Sequence, residues 1–143
     1  YHGLHGMKTV AFRYTNVYGE RARHVGTYAP AVSKFLKMSR EGQPITIFGD
    51  GSQRRDFIHV SDVVNANALI SFMELDNWGE VYNIGYGENW SIKDIADAIS
   101  DDQVFLSGKP GEMRETLADI RKAKSELTWK PKVNILDWIK TQL

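Results

Sequence analysis

The 143 residues contain no cysteine, which removes disulfides, thiolate nucleophiles and Cys-ligated zinc together and fits a reducing, cytoplasmic setting. Net charge is missing as well. Eighteen basic side chains balance eighteen acidic ones, so no overall field gathers a polyanion, and nucleic acid is not an expected partner. No apolar run approaches the ~20 residues that span a bilayer, and no charged-then-apolar leader opens the sequence, so no membrane partner is expected either. What is present is ordinary for a globular chain: 42% hydrophobic and 25% charged residues. At this length one compact domain buries roughly two thirds of its unfolded surface, enough for a core without staples.

Periodicity predicts alternating strands and helices. Residues 7–14, MKTVAFRY, have strand composition, and a turn follows at Gly19. Tyr28, Val32, Phe35 and Leu36 share one helical face that ends near residues 42–44. ITIF at 45–48 reads as a strand, Gly49-Asp50-Gly51 as a turn, and DFIHV as a second extended piece before Ser61 caps a helix. That helix is expected to bury Val63, Ala66, Ile70 and Met73, with Asp62 complementing its dipole. EVYNIG and QVFLSG are further strands, and Ser91 to Asp94 form a capping box ahead of an Ile92, Ile95, Ala96, Ile99 face. Helices are predicted at 120–127 and after Pro131, the latter with Ile135, Leu136, Ile139 and Leu143 on one face. The fold class is α/β: part of a doubly wound sheet with a smaller α/β region attached.

Few residue patterns carry chemistry. Arg54 and Arg55 each offer a planar fork matched to phosphate oxygens; from composition alone the default reading is that they pair at the surface with Asp50, Asp56 or Asp62. The dinucleotide fingerprint Gly-x-Gly-x-x-Gly is absent, and Gly85-Tyr86-Gly87 comes nearest, with Trp at position 90. His2, His5, His24 and His59 match no zinc spacing, so no metal is expected, and His59 reads as a satisfied, partly buried ring. Asn16, just beyond a strand, is either a turn residue or a ligand contact of the kind open α/β sheets place at strand ends.

Four segments in order, FRYTNVYGER, ITIFGDGSQRRDFIHVSDVVNA, VYNIG and GEMRETLADIRKAKSELTWKPK, resemble the C-terminal part of the NAD-dependent epimerase/dehydratase family, the extended short-chain dehydrogenases that include UDP-glucose 4-epimerase. The resemblance covers nearly the whole chain and implies one region, 1–143, forming the substrate-binding portion of an extended Rossmann-type enzyme whose N-terminal dinucleotide-binding half is missing. It implies roles residue by residue. Tyr14 lies beside the nicotinamide and Asn16 reaches the diphosphate, in a motif where Thr15 replaces the family's Phe. Arg55, of Arg55-Asp56-Phe57, clamps the diphosphate, a role not carried to Arg54. Thr46, Ile47 and Phe48 form the edge that meets the nucleobase, with Ala31 and Val32 over the same pocket. Glu112 accepts ribose hydroxyls, and Lys109 stands where some relatives have a second diphosphate arginine. In LTWKPK, Thr128 replaces the usual Gly.

The implied ligand is a nucleotide sugar, a UDP-sugar first, and NAD is the family's cofactor. Family catalysis uses Tyr-x-x-x-Lys. No tyrosine here has a lysine four residues on, so no catalytic residue is assigned, and the chain alone is expected to bind no NAD and to turn nothing over. The competing expectation is a noncatalytic interaction or regulatory module that keeps the fold. Either way the strand at 7–14 needs cover, from a second copy in a homodimer or from an N-terminal half.

Overall fold

The structure, a computed structural model, describes residues 1–26, 29–108 and 110–143. Tyr28 and Lys109, both singled out above, lie outside the described residues. A single helical turn, α1 (His2–His5), leads into β1 (Ala11–Tyr14), β2 (Asn16–Tyr18), α2 (Ala31–Arg40) and β3 (Ile45–Phe48). Next come β4 (Arg54–Arg55), β5 (Phe57–His59), α3 (Val60–Phe72), β6 (Val81–Ile84) and β7 (Trp90–Ser91). The chain continues through α4 (Ile92–Asp97), β8 (Gln103–Leu106), α5 (Arg121–Glu126) and α6 (Ile135–Lys140). Strands pair as β1–β6, β2–β5 and β3–β8, all parallel, while β4 and β7 run antiparallel. Parallel neighbours need crossovers, and the intervening helices supply them, which makes the chain α/β as its element order predicts.

Local signals account for most boundaries. β3 spans the predicted residues, and its alternation turns Ile45 and Ile47 into the core and Thr46 and Phe48 outward. α4 starts with the predicted capping box: Ser91 Oγ accepts the Asp94 amide at 2.9 Å, and the Asp94 carboxylate accepts the Ser91 amide at 2.9 Å. β1 is shorter than its composition suggests. Its partner β6 begins only at Val81, after Gly79 turns with φ 83°, so the ladder opens at Ala11.

Expectations on the cap of α3 and on burial are corrected, and the one on Asp62 is extended. α3 begins at Val60 and is capped by the His59 ring, which accepts the Ser61 amide, rather than by Ser61. Ile70 and Met73 are half-buried, and Leu143 is exposed beyond the end of α6. Asp62 does more than face a helix dipole: buried, its carboxylate accepts the Lys132 and Val133 amides at 3.0 Å each, and its carbonyl accepts the Trp129 indole N–H at 3.2 Å. That set of bonds seats the segment after α5 against the first turn of α3.

The core divides at the β2–β5 pair. Phe57 and Tyr18 face one cluster with Phe35, Ile47, Ile95 and Trp138; Ile58, next in sequence, faces the other with Ala66, Tyr82, Leu127 and Trp129. Successive residues of a strand point to opposite sides, so β5 serves both cores at once. Its N-terminal neighbours Arg55 and Asp56 are therefore fixed on a strand anchored from two directions.

Candidate functional site

The turn at Gly49-Asp50-Gly51 needs positive φ at both glycines, 73° and 76°. A Cβ on Gly51 would stand 3.1 Å from Lys93 Cβ and 3.2 Å from Ile47 Cγ2, so the turn also packs tightly on α4. It delivers the chain to β4, which is held on both edges: by β7 on one side, and by residues 114–116 on the other through Arg54 N–H to Arg114 O at 2.9 Å and Thr116 N–H to Arg54 O at 3.1 Å.

The two arginines then part. Arg54 donates from Nε to Asn89 Oδ1 at 2.7 Å and from a terminal nitrogen to Asn89 O at 2.5 Å, and it comes within 3.9 Å of Asp94. It is scaffold on the outer side. The Arg55 side chain is only 15% exposed; one terminal nitrogen donates to Arg54 O at 2.8 Å and the other to Glu112 Oε1 at 3.2 Å. Pairing with Asp50, Asp56 or Asp62 does not occur, because each of those carboxylates is taken. Asp50 accepts the amide and hydroxyl of Ser52, which hold its carboxyl below the usual range, and Asp62 is engaged as described.

Asp56 is the residue that sequence reasoning passed over. It is fully buried. Oδ1 accepts the Tyr86 amide at 2.7 Å and the Thr15 hydroxyl at 3.1 Å, while Oδ2 accepts the Ala118 amide at 3.1 Å and the Gly87 amide at 3.2 Å. Its main-chain carbonyl accepts both the backbone amide of Asn16, at 3.1 Å, and the side-chain amide, at 2.9 Å. A buried carboxylate is tolerated only with such full satisfaction. The nearest sequence signal is an acid directly ahead of the apolar run Phe57-Ile58-His59.

Asn16, Ala31, Arg55, Phe57, Ile92 and Glu112 line one cavity of about 430 Å³. Ala31, Ile92 and Glu112 also line a second, of about 400 Å³, whose further walls include Thr46, Phe48, Lys34 and Gln53. The two form a cleft with Arg55 and Asn16 at one end and the outward side chains of β3 at the other. Six of the residues expected at a nucleotide-sugar site are thus gathered: Asn16, Ala31, Thr46, Phe48, Arg55 and Glu112. Val32 and Ile47 are not brought in as side chains; both point into the core, Val32 from the inner face of α2 and Ile47 by strand alternation. Tyr14 stands apart at the end of β1, 46% exposed, with its hydroxyl and the Asn67 side-chain amide hydrogen-bonded to each other.

The cleft has the parts for an anionic, partly aromatic or heterocyclic ligand: a guanidinium fork and a side-chain amide at one end, a carboxylate acceptor midway, and a half-buried aromatic and hydroxyl at the other. A dinucleotide phosphate cradle is a different matter. In Gly85-Tyr86-Gly87 the Tyr86 and Gly87 amides are spent on Asp56, and a Cβ on Gly87 would lie 2.7 Å from Ile120 Cδ1. That turn therefore does not fit the phosphates of NAD. Among the described residues no group of three or more metal-ligating side chains is gathered, and no helix is long and apolar enough to cross a membrane.

His59 is less satisfied than expected. Its Nδ1 is occupied by Ser61, but buried Nε2 has no hydrogen-bond partner and faces Glu20 Oε1 at 3.6 Å. The same Glu20 oxygen accepts the Trp138 indole N–H at 2.9 Å, the main cause holding that carboxyl below its ordinary range.

Known proteins share this architecture. The UDP-glucuronate 4-epimerase of Thermodesulfobacterium geofontis is 33% identical over 98% of this chain and 43% of its own length. The crystal structure of UDP-glucose 4-epimerase from Thermotoga maritima with UDP-glucose superposes with a TM-score of 0.88 at 33% identity, over 99% of this chain and 46% of that one. UDP-glucuronic acid 4-epimerase from Bacillus cereus, in complex with UDP-glucuronic acid and NAD, gives 0.86 at 35% identity over 99% and 46%. The chain therefore spans less than half the length of these relatives. Residues 1–85, more than half of the 143, match the sequence profile of the NAD dependent epimerase/dehydratase family, and it is to that family that the chain belongs.

Proposed function

We propose that this chain forms the nucleotide-sugar-binding wall of an NAD-dependent sugar-nucleotide epimerase or dehydratase, with a UDP-sugar as ligand. The observation that carries the reading is the convergence of Asn16, Arg55 and Glu112 on one cleft whose far end is Thr46 and Phe48. Arg55 grips the diphosphate with its fork, Asn16 supports it, Glu112 accepts from the ribose, and the outer face of β3 meets the base. Support comes from relatives of the same fold whose structures hold UDP-glucose or UDP-glucuronic acid.

In this reading residues 1–143 are a single C-terminal substrate-binding region acting in the cytoplasm, and chemistry belongs to a partner half. The chain has no Tyr-x-x-x-Lys and no glycine fingerprint, so alone it binds nucleotide sugar and neither holds NAD nor turns substrate over. A noncatalytic role that keeps the same fold draws on the same absence. The uncharged outer side of α3, where Val60, Val64 and Phe72 are exposed, and β1, whose one strand partner among the described residues is β6, are the surfaces for an N-terminal half or a second copy.

Calorimetry with UDP-glucose tests the reading. Binding by the 143-residue chain that falls by about tenfold or more in Arg55→Ala supports it; equal heats in the two proteins remove Arg55 from the site.

A further inference from the structure

Resting on that reading of Asn16 and Arg55 as ligand contacts, we propose that Asp56 is the positioning residue of the cleft and that Thr15 is its tuning partner. Asp56 is tied to both contacts, to one through the chain and to the other through hydrogen bonds. It follows Arg55 in the chain, and its carbonyl holds Asn16 by two hydrogen bonds. Its carboxylate gathers four donors from three separate segments: Thr15 at the β1–β2 junction, Tyr86 and Gly87 in the turn after β6, and Ala118 in the loop that descends from Glu112. One fully buried group thereby sets the register of Asn16, Arg55 and the Glu112 loop relative to one another.

The packing around it admits no substitute. A Cβ on Gly85 would stand 2.7 Å from Asp56 Oδ2 and 2.8 Å from both Thr15 Cγ2 and Ala118 Cβ. The three segments approach so closely only because position 85 has no side chain. Each carboxylate oxygen faces two donors. An amide in place of the carboxylate must therefore turn an NH2 toward at least one backbone N–H, whichever way it is flipped. A Phe at position 15 would offer no donor, whereas the Thr15 hydroxyl donates to Oδ1 at 3.1 Å and is the one side-chain donor of the set.

The test is UDP titration of the 143-residue chain in five forms: wild type, Arg55→Ala, Asp56→Asn, Thr15→Val and Thr15→Ser. Side-chain amide and Arg Nε–H resonances are recorded alongside. Asp56→Asn weakens UDP by about tenfold, Thr15→Val by about threefold, and Thr15→Ser, which keeps the hydroxyl, returns to within about twofold of wild type. In folded Thr15→Val the Asn16 amide and Arg55 Nε–H signals shift, and Thr15→Ser restores them, which a loss of general stability would not produce. If Asp56→Asn does not fold, the two Thr15 variants decide. Lost binding in Arg55→Ala with wild-type affinity and unshifted Asn16 signals in the folded Thr15→Val and Asp56→Asn proteins overturns the positioning role and leaves the ligand reading standing. Equal binding by wild type and Arg55→Ala overturns both.

Discussion

Arg55 and Glu112 face each other at 3.2 Å across the cleft, joining β4 to the loop beyond β8 by a half-buried ion pair. The pairing places an acceptor beside the very donors a diphosphate needs. Glu112 holds the guanidinium, and in the proposed reading it also receives ribose hydroxyls; those two functions would pull ligand affinity in opposite directions.

Glu112→Gln separates them. UDP contains the ribose, so its binding weakens several-fold, on the order of one hydrogen bond to a charged acceptor. Inorganic pyrophosphate lacks the ribose and gains from removal of a nearby negative charge, so its binding holds or strengthens. Calorimetry with both ligands reads the two signs. Equal weakening of both would assign Glu112 to the placement of Arg55 alone.

Thr128 carries a φ of 52°, and it is the one non-glycine residue with positive φ among the described residues. It sits just past the C-terminal end of α5, where helices favour glycine and where the family pattern has one. A β-branched side chain in this conformation costs about 1–2 kcal/mol, offset in part by the entropy glycine loses on folding. Thr128→Gly therefore raises stability by about 1 kcal/mol, read as a higher urea midpoint at unchanged m-value. A lower midpoint would show that the threonine's packing outweighs its backbone strain.

Tyr82 is buried in the second core cluster, and its hydroxyl donates to Glu126 at 2.9 Å. Burial first, and then that hydrogen bond to a carboxylate, push its pKa from 10.0 up to about 12. The folded state thus keeps the proton that the unfolded state releases. The associated stability is complete below pH 10 and is lost as the pH climbs toward about 12. Thermal melts across that interval should fall more steeply for wild type than for Tyr82→Phe, which has no proton to lose. Parallel curves would mean that Tyr82 does not report on alkaline unfolding.

Much of the scaffold was legible because its signals are local. The strand at Ile45–Phe48, the Ser91 capping box and the Ile92, Ile95, Ala96 face each depend on residues within a turn or two of one another. The Arg55 cleft was legible only through resemblance: no periodicity links Asn16, Arg55 and Glu112, which meet by way of three pairings distant in sequence. Asp56 was illegible for a related reason. Three of its four carboxylate donors are backbone amides, 30, 31 and 62 residues away, and a backbone amide leaves no mark in sequence. His59 as a helix cap escaped because serine and aspartate, which follow it, are the usual capping residues. Val32 and Ile47 could have been assigned to the core directly, since the helical and strand periods that predicted their elements also turn them inward.

Crystals of the 143-residue chain grown with UDP-glucose test the central claim most directly. The account predicts diphosphate oxygens within hydrogen-bond distance of the Arg55 guanidinium and the Asn16 amide, with the uracil end against Thr46 and Phe48. Nucleotide bound elsewhere, with Arg55 still closed on Glu112 and the cleft filled by solvent, would contradict it.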